Sequence, residues 1–302
     1  MIDHETREAR LQIRIDARNR LRDRVEEMPG PFFNRLSKCG TAFTLACTGC
    51  GSNRVVATRC NWKCCPVCQH ALTAASADRY ARIAALCQWP LLVTFNAEHK
   101  PSDGVKAFRE MRAAHSRIRA QRWWKARVKG GVACWEVSRL SKAERKRKKL
   151  GRDKGWHFHC HCLVDCRWLF ATLPPPRAGA SDAEKATRIR QINEEIADLW
   201  TMAMGGRKGS VSVRRVWLDS NGGIEGAVHE VCKYAMTGAD LADSEHDIEP
   251  VLWALEKSRM IVAFGSFFRH PDIKRRAPVP AMCECGCTDW MPDFVVNRFF
   301  RE

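Results

Sequence analysis

Three histidines alternate along one short segment, Trp156-His-Phe-His-Cys-His-Cys-Leu-Val164. Read as a strand, the segment points His157, His159 and His161 to one face, with Phe158, Cys160 and Cys162 in the other layer. Same-face neighbours lie roughly 6.6 Å apart, so two imidazoles can converge on one ion, while His157 and His161 are too far apart to share it. One adjacent pair is therefore expected to chelate, and the third histidine to do something else. A hard divalent ion such as Mg²⁺ or Mn²⁺ asks for an oxygen ligand as well. Glu136, in Cys134-Trp-Glu-Val-Ser138, is the candidate, on a preceding strand expected to pair antiparallel with the histidine strand.

The second chemical signal is cysteine. Of sixteen in the chain, Cys47-Thr-Gly-Cys50 and Cys65-Pro-Val-Cys68 form two CxxC knuckles with the bite of tetrahedral Zn²⁺. Cys39, Cys60 and Cys64 compete as ligands or serve a second site. Cys283-Glu-Cys-Gly-Cys287 either makes a zinc site of its own, with Cys285, or closes back on Cys47 and Cys50. Cys87, Cys134, Cys160, Cys162, Cys166 and Cys232 read as small core residues.

The chain has two tyrosines. Tyr234 lies in Val228-His-Glu-Val-Cys-Lys-Tyr-Ala-Met236, one helical turn after Glu230 and on the same face. A phenol needs nearby positive charge or a base to act as a nucleophile at neutral pH. Lys233 can supply the charge, and Glu230 can serve as base for a water in a later step.

The surrounding pattern predicts the elements that position these groups. A basic amphipathic helix spans 4–28, with Leu11, Ile15, Leu21 and Val25 at helical spacing, and Pro29 and Pro31 end it. A cysteine-rich segment, 39–68, leads to a helix over 70–88. Then follow a buried strand, 90–95; a helix, 102–127, started by Ser102; strands over 131–138 and 156–164; a helix, 182–204; a strand, 210–217; and a helix, 224–238. The order β-α-β-β-α-β-α begins as a split βαβ, ferredoxin-like plan with an antiparallel sheet. The expected divisions are a basic N-terminal helix (1–38), a zinc module (39–87), a catalytic domain (88–240) and a C-terminal region (241–302).

The net charge of +17 implies a polyanionic partner, with nucleic acid the default. The hairpin run Lys142, Arg145, Lys146, Arg147, Lys148 and Lys149 should bind phosphates beside the histidine strand. Trp123 and Trp124, beside Arg122 and Lys125, could stack bases or simply pack. A charged N-terminus without an apolar segment predicts a cytoplasmic protein with no membrane partner. Thiols stay reduced in the cytoplasm, and the clustering of the cysteines also favours metal over disulfides.

Taken together, these segments resemble the HUH endonucleases, and among them the single-tyrosine rolling-circle replication initiators of small plasmids. Leu91-Leu-Val-Thr-Phe95 is similar to the family's first motif, His159-Cys-His-Cys-Leu-Val164 to its histidine motif (with His157 as in the three-histidine form), and Glu230-Val-Cys-Lys-Tyr234 to its third. The resemblance covers about residues 60–240. It implies an α+β fold with an antiparallel five-stranded sheet, helices on one side of it, and a small zinc module. It implies a divalent ion on His159, His161 and Glu136, with His157 toward DNA. It also implies nicking of single-stranded or hairpin origin DNA through a 5′-phosphotyrosine on Tyr234, in concert with a host helicase and polymerase. The position three residues after the tyrosine, often Lys in the family, is Thr237. A single-tyrosine transposase fits the same motifs. A non-catalytic zinc-dependent DNA-binding regulator fits only the charge and the cysteines.

Overall fold

The computed structural model describes residues 4–139, 146–147, 155–167, 169, 177, 179–216, 223–232, 241–244, 246–271, 283–287 and 290–293. The chain forms two compact units. One comprises Met1–Leu72, Thr237–Glu245 and Lys274–Glu302; the other comprises Thr73–Met236 and His246–Ile273. The stretch 241–302 falls partly in each unit.

The smaller unit starts with α1 (His4–Arg24) and α2 (Phe32–Ser37). The apolar positions of the basic helix face inward as its periodicity predicts: Leu21 and Val25 are fully buried with Phe32 and Leu36. Phe32 packs on Trp62 with ring centroids 5.4 Å apart. The Arg24 guanidinium donates to the carbonyls of Leu241 and Ser244, anchoring a distant segment. The cysteine-rich segment is a hairpin, β1 (Ala42–Cys47) and β2 (Asn53–Ala57). A third strand, β8 (Trp290–Asp293), pairs antiparallel with β1, giving the order β2-β1-β8.

In the larger unit, the chain order from β3 is β-α-β-β-α-β-α, as expected. After the helix α3 (Pro66–Ala84), of which the residues from Thr73 on belong to this unit, come β3 (Pro90–Ala97), α4 (Gly104–Ala120), α5 (Arg122–Arg127), β4 (Gly130–Ser138), β5 (His157–Asp165), α6 (Asp182–Ala203), β6 (Gly209–Arg215) and α7 (Gly223–Cys232). They are followed by α8 (Glu249–Glu256) and β7 (Ile261–Gly265). The sheet has five strands in the order β6-β3-β5-β4-β7, every neighbouring pair antiparallel. The fifth strand comes from beyond residue 240, where no strand was expected.

Two local expectations change. The helix expected over 102–127 breaks at Gln121, whose extended backbone (φ −63°, ψ 143°) separates α4 from α5. A 3₁₀ turn at Pro101–Asp103, rather than a Ser102 cap, leads into it. By contrast, α6 begins on a full capping box: Ser181 Oγ accepts from the Glu184 amide, and the Glu184 carboxylate accepts from the Ser181 amide at 2.7 Å.

Helices cover both faces of the sheet, which corrects the expectation of helices on one side. On one face, α4 and α6 bury Phe108, Met111, Ile118 and Trp200 against Phe95, Trp135 and Phe158. On the other, Tyr80, Ile83 and Ala84 of α3 and Val228, Val231 and Cys232 of α7 pack on Leu92, Val132, Cys134 and Leu163. The reason is compositional. Leu92, Val132 and Leu163 make one end of the histidine-bearing face apolar, and that end must be covered. The polar end of the same face carries the histidines.

Candidate active site and thiol clusters

The pleat of β5 works as its alternation predicts. Phe158, Cys160 and Cys162 are buried, while His157, His159 and His161 are half-buried on the opposite face. Their rings stack in a row, with centroids 4.3 Å apart for His157 and His159 and 6.0 Å for His159 and His161. A fourth imidazole extends the row: the His99 ring meets His157 edge-on at 5.2 Å. The side chain of His99 is 3% exposed, and its Nε2 is buried with no hydrogen-bond partner among the described residues.

The antiparallel register sets Glu136 opposite His159, and its carboxylate reaches diagonally to His161, with Oε2 2.8 Å from Nε2. On the other flank, β3 sets Thr94 opposite His161 and Asn96 opposite His159. Thr94 Oγ1 lies 3.1 Å from His161 Nδ1, and Asn96 Oδ1 accepts from His159 Nδ1. An amide oxygen only accepts, so Nδ1 of His159 carries the proton and Nε2 presents its lone pair. Ser138 Oγ is 3.5 Å from that Nε2. Holding Nδ1 of His159 leaves its Nε2 lone pair for an ion, which is how metal-ligating histidines are oriented; Nε2 of His161 instead donates to the Glu136 carboxylate.

Of the three expected ligands, His161 and Glu136 are in contact and His159 stands beside them. The three donor atoms do not close to the mutual 4.8 Å that the thiol groups described below achieve. The donor set, two imidazoles and a carboxylate, suits a divalent ion.

Sequence reasoning missed Asn96, Ser138 and His99. The signal for Asn96 was available: it follows Thr94 by two residues on a strand, so the two share a face. Asn96 is itself fixed, its carbonyl accepting from Trp200 Nε1 at 2.7 Å and its amide donating to Ser210 Oγ at 3.4 Å. Gly209 permits this, because a Cβ there would stand 2.4 Å from the Trp200 ring. As an orienting residue, Asn96 should matter for metal rather than for folding. Asn96→Ala is expected to weaken Mn²⁺ binding by on the order of 10–100-fold, read by calorimetric titration, with an unchanged melting temperature. Unaltered Mn²⁺ affinity would remove Asn96 from the site.

Burial first, then the neighbouring imidazoles of His157, His161 and His99, draw the His159 pKa down to about 3 from the usual 6.5. The folded state therefore holds His159 neutral, and its contribution to stability is complete above about pH 6.5. Below that the unfolded chain takes up the proton first, so the contribution is lost progressively as pH falls toward 3. In EDTA, wild-type protein should lose melting temperature between pH 7 and pH 4.5 more steeply than His159→Gln. Parallel pH profiles would contradict this.

The helix α7 packs on the histidine face. Val228, Val231 and Cys232 of α7 meet Cys134 and Leu163, one pleat from Glu136 and His161. Lys233 and Tyr234 and the side chain of Glu230 lie outside the described residues, as do Lys142, Arg145, Lys148 and Lys149; Lys146 and Arg147 are exposed. Tyr80 is a core residue, 8% exposed, its hydroxyl pKa raised by burial. Trp124 is buried and packs against Phe264, so of the tryptophan pair it is not a base-stacking platform.

The cysteines of the smaller unit form two clusters, and the pairing differs from the simplest reading of the knuckles. Cys65 and Cys68 join Cys39 and Cys60; Cys47 and Cys50 join Cys283 and Cys285. Thiol sulfurs are 3.4 Å apart for Cys39–Cys65 and Cys39–Cys68, and 3.7 Å for Cys60–Cys68. In the other cluster they are 3.6 Å apart for Cys47–Cys285 and 3.4 Å for Cys50–Cys283. A tetrahedral zinc with bonds of about 2.3 Å has sulfur–sulfur edges of about 3.8 Å, so both sets can hold a metal such as zinc.

The hairpin explains the exchange of partners. Cys47 and Cys50 sit at its tip, while Cys39 and Cys60 flank its open end. Five residues of strand span roughly 17 Å, far beyond one ion's reach. Cys64 is buried but belongs to neither set, and Cys287 lies at the rim of the second, 3.5 Å from Thr48 Oγ1. Within the first set, hydrogen bonds from neighbouring thiols lower the pKa of Cys39 to about 7 and that of Cys68 further still. Burial and then Arg22 lower the pKa of the Arg18 guanidinium, while Cys39, Cys65 and Cys60 act to raise it. A third group, His115, Cys160 and Cys162, is fully buried on the far side of the large sheet, with Cys162 Sγ 3.5 Å from both partners.

No family model matches the chain, and no curated protein or solved structure is found similar to it. No described helix is long and apolar enough to cross a membrane.

Proposed function

We propose that the chain is a metal-dependent HUH-type endonuclease that nicks single-stranded DNA through Tyr234, the initiating and terminating activity of rolling-circle replication. The observation that carries this reading is the placement of His159, His161 and Glu136 side by side on adjacent strands, with Nδ1 of both rings held from β3. Two further features support it. The βαββαβ chain order with strand order β6-β3-β5-β4 fits a ferredoxin-like core extended by β7. The helix leading to Glu230 and Tyr234 packs on the histidine face.

On this reading, Mg²⁺ or Mn²⁺ on His159, His161 and Glu136 would supply Lewis-acid polarisation of the scissile phosphate. The basic surface, including Lys146 and Arg147, draws in the DNA. The phenol oxygen of Tyr234, with Lys233 as a source of positive charge, attacks phosphorus and gives its proton to solvent. The bond to the 3′ oxygen breaks, and that oxygen takes up a proton to become the 3′-hydroxyl that primes synthesis. The 5′ phosphate stays on Tyr234. In the closing step Glu230 takes a proton from water or from the new 3′-hydroxyl, which displaces the tyrosine.

Cleavage of single-stranded oligonucleotides in Mn²⁺ tests the reading. His159→Ala and His161→Ala should each lose on the order of a hundredfold or more of the rate, while His157→Ala loses less. Should His157→Ala be the most defective, the chelating pair is His157 and His159. Should none of the three matter, the protein is not this nuclease, and a zinc-dependent DNA-binding regulator, which needs only the thiol clusters and the charge, takes its place.

A further inference from the structure

On the face of the large sheet opposite the histidines, a cleft of about 480 Å³ is lined by Arg109, Arg112, Arg119 and Arg259, with His115 and Trp135. Arg109, Arg112 and Arg119 recur along one side of α4 at spacings of three and seven. Arg259 comes from the other wall, just before β7, where the Trp135 amide donates to the Met260 carbonyl at 2.8 Å.

None of the four guanidiniums is paired with a carboxylate among the described residues. Arg119 lies over the Phe264 ring at 4.9 Å and Arg112 over Phe108 at 5.6 Å, so both are held by aromatic packing. Nε of Arg119 is buried without a hydrogen-bond partner. Arg207, in the same unit, shows the contrast: it is paired with both Asp103 and Glu110. Four like charges gathered in one concavity repel, and a bound polyanion relieves that repulsion.

Trp135 is 2% exposed, so it offers no ring face to a base. What remains for recognition is the planar donor fork of arginine, which matches the oxygens of phosphate. We propose that this cleft binds adjacent phosphate groups, either of a nucleic-acid backbone or of a free oligophosphate. The proposal does not rest on the nuclease reading, because it uses a different face and different residues.

Its test uses the full chain and two probes, inorganic tripolyphosphate and a fifteen-residue oligo(dT). The variant is Arg109→Glu/Arg259→Glu, at exposed positions with no carboxylate partner among the described residues. The control, Lys106→Glu/Lys125→Glu, makes the same charge change at exposed sites outside the cleft. The cleft variant should bind tripolyphosphate at least tenfold more weakly than wild type, with the control close to wild type. If oligo(dT) affinity falls in parallel and its log–log salt slope drops by about 1.4, the phosphates are those of a DNA strand. If oligo(dT) binding is unchanged while tripolyphosphate binding falls, the ligand is a free oligophosphate. Equal losses in variant and control, or none in either, overturn the proposal. Thermal melts establish that each variant is folded.

Discussion

Tyr234→Phe is expected to abolish covalent attachment to single-stranded DNA while leaving DNA binding intact. The substitution removes one oxygen, and that oxygen is the only atom of the side chain that can form the phosphodiester-like bond to phosphorus. Loss of a nucleophile costs on the order of a thousandfold or more, with no compensating route through the remaining residues. The other tyrosine cannot stand in. Tyr80 is buried among Ile83, Ala84 and Leu92, and burial raises its pKa, the wrong direction for a nucleophile. Adduct formation is read as a shifted band of labelled oligonucleotide under denaturing conditions, and binding as fluorescence anisotropy. Tyr80→Phe should retain the adduct. Persistence of the adduct in Tyr234→Phe would remove the central residue of the proposed mechanism.

The second large effect concerns the thiol clusters. Wild-type protein should carry two zinc ions per chain, one for each set of four cysteines. Cys68→Ser should release one and Cys285→Ser the other. Zinc in such modules contributes about 10–16 kcal/mol of binding free energy, which is also folding free energy. The smaller unit, whose apolar core among the described residues includes Leu21, Val25, Phe32, Leu36 and Trp62, should therefore lose cooperative unfolding in Cys68→Ser. Metal analysis by plasma emission gives the counts. If Cys47, Cys50, Cys65 and Cys68 shared one ion, the wild type would hold a single zinc, Cys68→Ser none, and Cys285→Ser would change nothing.

These two expectations differ in what they draw on. The alternation of His157, His159 and His161 declared both the strand and its polar face, because a strand's period of two is a property of local backbone geometry. The amphipathic spacing of Leu21 and Val25 declared the buried side of the N-terminal helix in the same way. The Glu230-to-Tyr234 spacing reads as one helical turn, with Tyr234 outside the described residues. The two CxxC knuckles were readable as metal-binding, because two thiols three residues apart can meet one ion.

What the chain could not declare locally were relations between segments distant in sequence. Which cysteines share a site depended on the β1–β2 hairpin sending its tip and its open end in opposite directions, and on β8 returning from residue 290 to pair with β1. Asn96 and Thr94 entered the histidine site because the register of β3 against β5 set them opposite His159 and His161. The fifth strand and the arginine cleft arose only when residues 259–265 came back to the edge of β4. Spacing along the chain determines which face of its own element a side chain occupies. Which side chains stand across from it is decided by strand register and sheet order, and those minimise exposed apolar area over the whole unit rather than within any segment.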